Sequence, residues 1–203
     1  MQTGENMSSE KTEDAKKTEN IVNSFGNVIK MYEETAFLLE DFAKIFGCKM
    51  MLREGKNTNT VQAYTSNSIK LPDEWLPIFA GWDFWPKGQK EGNSGIAVMA
   101  VFPFPSRDPR DAVPYLVVGV IGKSLYDVLS LHQHFIHNKE KFLGKGGLGK
   151  DGKEKEVDLK NGEIFKVLPL LKVRNKSVVK ELADWVQDRI TRAPPPSLPI
   201  SRE

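Results

Sequence analysis

The chain predicts an α+β fold: a central antiparallel sheet with packed helices, plus a C-terminal strand–helix extension and disordered tails. Three observations carry this prediction. Apolar residues recur at steps of three or four over 20–46, 125–143 and 179–190, the spacing of amphipathic helices. Two apolar runs, 95–102 and 115–121, are separated by a short polar connection, as in an antiparallel strand pair. The 203 residues are 39% hydrophobic and 28% charged, apolar enough for a packed core. A single domain over 20–192 is expected, between a tail at 1–19 and a Pro-rich tail at 193–203.

Residues 1–19 hold five acids and three lysines without an apolar run, which predicts a flexible tail. From Asn20 to Phe46, Val22, Phe25, Val28, Ile29, Tyr32, Ala36, Leu39, Phe42 and Phe46 mark a helix. Gly26 is its weak point, and Gly47 stands where a left-handed cap is expected. Cys48, Met50 and Leu52 then alternate with polar or exposed-type residues and predict a strand. The turn residues 55–59 lead to a second strand over 60–65, expected to pair with the first.

Residues 71–85 (LPDEWLPIFAGWDFW) contain three of the four tryptophans. Pro72 and Asp73 suggest the start of a short helix, limited by Pro77 and Gly81. A loop follows over 86–95. The run 95–102 predicts a central strand, ended by Pro103 and Pro105, and 115–121 its partner. Ser124 is expected to cap a helix whose stripe is Leu125, Val128, Leu129, His132, Phe135, Ile136, Phe142 and Leu143. Residues 144–161, rich in glycine and charge, predict a mobile loop. Residues 164–173 form a last strand, which Pro169 should confine to an edge or a bulge. Ser177 should cap the final helix, with Val179, Leu182, Val186 and Ile190 on one side.

The order helix, strand, strand, short aromatic segment, strand, strand, helix resembles the GAF/PAS-like sensory domains over residues 21–143. The segment Ala36–Cys48 resembles the helix that leads into the family's first strand. Met99-Ala100-Val101-Phe102-Pro103-Phe104 and Val117-Val118-Gly119-Val120-Ile121 are similar to its hydrophobic strand, proline, and returning strand with a glycine. The resemblance implies a sensory fold; neither a cyclic-nucleotide signature nor a bilin-attachment cysteine accompanies it.

Composition narrows the chemistry. A formal charge of +2 argues against a protein that coats nucleic acid. One cysteine, Cys48, excludes a disulfide framework within the chain. No signal peptide and no membrane-spanning run are read, so a cytoplasmic protein without membrane insertion is expected. The aromatic segment is the first candidate for ligand binding, through Trp75, Phe79, Trp82, Asp83 and Trp85. Aromatic rings offer large contact area, and a carboxylate among them would anchor a polar group. The same rings would equally serve to seal one end of the sheet. All three histidines lie in 132–137. His134 and His137 are spaced to face one metal, but the sequence fixes no further ligands. His132 falls on the apolar stripe, as a core histidine does. Gly144, Gly146 and Gly149 spell a dinucleotide-type pattern in the wrong context, after a helix instead of a strand. No catalytic residue and no cofactor are indicated.

These observations favour a non-catalytic sensory or regulatory module that binds a small molecule or partner protein near 75–85. One alternative is an enzyme whose cleft uses Asp83 and the histidine cluster. The other is an assembly protein that oligomerises, as a homodimer for example, through its amphipathic helices.

Overall fold

The structure is a computed structural model, and it describes residues 5–46, 50–52, 59–63, 77–86, 94–102, 113–122, 124–125, 127–145, 148, 152–159, 162–173 and 175–192. The chain is α+β. It divides into two compact units, Met1–Leu38 and Leu39–Glu203.

Helix α1 spans Glu5–Phe46. It therefore includes most of the segment read as a tail. That segment lacks an apolar stripe, but its glutamates, lysines and alanine are good helix formers, so local propensity extends the helix. Within the first unit, whose described residues all belong to this helix, Val22, Ile29 and Phe37 are 62%, 57% and 64% exposed.

The described residues of the second unit form one antiparallel sheet of seven strands: β1 Met50–Leu52, β2 Asn59–Ala63, β3 Pro77–Pro86, β4 Gly95–Val101, β5 Tyr115–Ile121, β6 Lys155–Asp158 and β7 Ile164–Pro169. The order across the sheet is β1-β3-β4-β5-β7-β6, with β2 also on β3. β1 and β2 are not a hairpin, contrary to the expected pairing. Both run antiparallel to β3 along the same edge, Leu52 opposite Phe84 and Asn59 opposite Trp82. They form one lane with a break in it. Glycine and asparagine at 55–59 suggest a turn between partners, but β3 offers the longer apolar surface.

Residues 72–76, where the short helix is expected to begin, lie outside the described residues; from Pro77 on the segment is strand and not helix. Residues 79–85 alternate between faces, and this period of two outweighs the helix-start signals. β4 and β5 are buried along their whole length, as expected for central strands. β6 lies inside the segment read as a mobile loop. Its only buried residue is Val157, opposite Phe165, and its charged neighbours hid the strand pattern. Charge is typical of sheet edges, where it discourages further pairing. β7 is consequently interior, not an edge. Pro169 is its last residue, opposite Tyr115, and β6 pairs only as far as Val167.

Helices cover both faces. Helix α2 (Val128–His137) and helix α3 (Lys139–Leu143) lie on one, and helix α4 (Lys176–Arg192) lies against β4 and β5. The single helix expected over 124–143 is thus two, broken at Asn138. The cap is Asp127 and not Ser124: Asp127 Oδ1 accepts from Ser130 N at 2.7 Å, and Ser130 Oγ returns to the Asp127 backbone. This reciprocal box satisfies two end donors that would otherwise lack intrahelical partners. At α4 the cap is Asn175, whose Oδ1 accepts from Val178 N at 3.1 Å. Two glycines permit the close packing. A Cβ at Gly81 would stand 2.6 Å from the Val128 side chain, and one at Gly119 would stand 2.4 Å from the Phe165 ring. Cys48, the loop 103–112 and the Pro-rich tail lie outside the described residues.

Candidate functional site

Strand geometry distributes the aromatic candidates. Phe79, Gly81, Asp83 and Trp85 alternate with Ala80, Trp82 and Phe84. The approach of Val128 to Gly81 fixes the first set on the α2 face. The second set therefore points to the other face. There, Trp82 meets Phe84 edge-on at 6.4 Å, and Phe84 meets Phe46 at 4.9 Å. So the sheet separates Trp82 from Phe79, Asp83 and Trp85. Phe79 and Phe84 are core rings, while Trp82 and Trp85 are half-buried. Trp75 lies outside the described residues.

On the α2 face the polar groups are specific. Asp83 is 1% exposed, and its Oδ2 accepts from Trp85 Nε1–H at 2.9 Å. Two residues apart on one strand, these side chains are neighbours on one face, which makes the bond local. It holds the indole by its only polar atom. His132, 3% exposed, stacks on Phe79 with ring centroids 4.0 Å apart. Its Nε2 has no hydrogen-bond partner among the described residues. Burial, with the nearby Lys139 charge adding, lowers its pKa to about 4. The imidazole is accordingly neutral near pH 7, as the core reading of the sequence implied.

The third buried polar group was not foreseen. Glu163, between β6 and β7, accepts from Ser124 N at 3.1 Å, from Leu125 N at 2.9 Å and from the Ser124 hydroxyl. It clamps the turn that delivers the chain from β5 to α2. Ser124 and Glu163 are 39 positions apart, so no spacing rule links them. The only sequence signal is a lone acid beside an apolar run, which strand ends often show.

His134 and His137 do not share a ligand site. His134 lies edge-on to Phe142 at 5.9 Å, and His137 Nδ1 is 2.7 Å from the Gln133 carbonyl oxygen. Among the described residues no three His, Cys, Asp or Glu side chains come together as a metal-binding group. Among the described residues, also, no helix is long and apolar enough to cross a membrane.

The arrangement can hold a helix on a sheet with defined register. Its buried groups are committed to one another or to core packing: an indole to a carboxylate, a carboxylate to a turn, an imidazole to a phenyl ring. The protein-family models, the curated proteins and the solved structures with which the chain was compared give no match.

Proposed function

We propose that this protein is a non-catalytic regulatory module that pairs with a second copy of itself through the first unit's part of α1. The observation that carries this reading is the exposure of Val22 and Ile29 in a unit whose described residues include no other element on which to bury them. Val22, Ile29 and Ala36 are spaced by sevens, as are Phe25 and Tyr32, the repeat by which two helices interlock. In a parallel, in-register pair, Glu33 of one copy falls opposite Val28 of the other, so this flank brings no like charges together. Packing of the helical pair would be the variable that a signal changes, by shifting the population between two arrangements.

Light scattering over a range of concentrations tests it. The wild type should pass from monomer to dimer, and Ile29→Glu should remain monomeric without loss of fold. A wild type that stays monomeric at every concentration refutes the proposal.

A second reading keeps the small molecule near β3. It is favoured by one feature, the half-buried Trp85 held by Asp83 on the α2 face. A ligand there should change tryptophan fluorescence in the wild type and not in Trp85→Phe.

A further inference from the structure

A groove of about 520 Å³ opens between residues 152–154, the end of β7, the 3-10 turn Leu170–Lys172 and the first turn of α4. Leu168 and Val178 supply its apolar lining, and Lys153, Glu154 and Lys172 its charges. These charges are not balanced. Glu154 is taken by Lys166, at 3.0 Å, and Lys176 in the adjoining turn is 3.9 Å from Asp41. Lys153 and Lys172 have no carboxylate within salt-bridge reach among the described residues. Two like charges facing one concavity raise its potential and draw in an anion.

The path of Lys172 is itself specific. Gly152 has φ +51°, and a Cβ there would stand 2.7 Å from Lys172 Cε and 3.1 Å from Pro169 Cγ. The absent side chain leaves room for the lysine stem to cross Gly152 beside Pro169. A side chain in this left-handed region would also be strained. Gly152 belongs to the glycine- and lysine-rich segment that leads into β6.

We propose that this groove binds a small molecule made of a phosphate monoester on an apolar body. The dianion lies between the Lys153 and Lys172 ammonium groups, and the body lies on Leu168 and Val178. Two separate ammonium charges suit a doubly charged phosphate, for which lysine acts as a point charge. The volume is within the range of small-molecule sites. The site is independent of the dimer reading, because it uses no residue of the first unit.

The test uses the full chain labelled with nitrogen-15 and titrated with phenyl phosphate. Saturable amide shifts are expected at Gly152, Lys172 and Val178. Lys153→Gln and Lys172→Gln should each weaken binding by about tenfold, the effect of losing one charge-assisted contact. Lys44→Gln, which removes a lysine paired with Glu40, should not. Benzyl alcohol should fail to bind, and inorganic phosphate should bind more weakly than phenyl phosphate. Ile29→Glu should bind as the wild type does, whatever its oligomeric state. Shifts that do not saturate, shifts mapped elsewhere, or wild-type affinity in both glutamine variants would overturn the site. Equal affinity for inorganic phosphate would overturn the apolar half of the proposal.

Discussion

The two faces of the sheet are buried by different chemistry. On the α4 face, contact is made by rings and aliphatic chains: Phe46 on Phe84, with Val179, Leu182, Ala183 and Val186 buried along the helix. On the α2 face, an apolar cluster of Phe79, Met99, Val117, Leu131 and Phe135 is accompanied by buried Asp83, His132 and Glu163. Apolar packing is non-directional, and it supplies most of the stabilisation. Buried polar groups add little net free energy when satisfied, but they are costly in any other arrangement. Both faces should therefore owe their stability to apolar packing, and the α2 face should carry more of the registration.

The largest expected effect lies on the α4 face. Phe84→Ala removes a ring that meets both Phe46 and Trp82 and should cost about 3–5 kcal/mol of unfolding free energy. Urea denaturation measures it, and a loss under 1 kcal/mol would break the comparison.

The next effect sharpens the comparison through pH. His132 in the folded chain titrates near pH 4, below the 6.5 of an unperturbed imidazole. The unfolded chain binds the proton first as pH falls. Stability is thus complete above pH 6.5, is lost as pH falls toward 4, and loses nothing more from this group below that. The loss is on the order of 3 kcal/mol. Comparing denaturation midpoints at both ends of that window isolates the term: His132→Leu should show a smaller fall than the wild type. Equal falls would show that the imidazole is not held neutral by its surroundings.

The smallest effect is expected at the rim of the α4 face. There, Lys166 and Arg189 lie 5.1 and 5.7 Å from the Trp185 ring centre, and Arg189 also reaches Glu156 at 3.3 Å. The Arg189–Glu156 pair is open to water, its side chains 39% and 43% exposed. Arg189→Ala should cost under about 1 kcal/mol, and added salt should reduce even that. A loss as large as that of Phe84→Ala would mean that the rim, and not the rings, secures the helix.

What could be read from the sequence follows the same division. β4, β5 and α4 were legible because their apolar patterns are local and long. His132 was legible as a core residue because it sits on the stripe of α2. β3 was misread because Pro72, Pro77 and Gly81 look like helix punctuation, whereas its alternation is interrupted by Ala80 and Gly81, which have almost no side chain. β6 was missed because a strand with one buried residue resembles a charged loop. The break at Asn138 splits a stripe that is continuous in sequence. Of the candidate site, the residues of β3 were found but not their separation by the sheet. Glu163 was out of reach, since its role depends on a contact between distant parts of the chain.

The shared lane of β1 and β2 has a consequence for how the protein tolerates alteration. Leu52 and Asn59 face β3 residues only two apart, so an unbroken strand would need one residue between them, and the chain has six, 53–58. An unbroken lane would thus use five residues fewer than the chain carries between Leu52 and Asn59. This is a natural splice point: shortening it toward a single linking residue, or inserting a reporter or a whole foreign domain, leaves the pairings on either side in place.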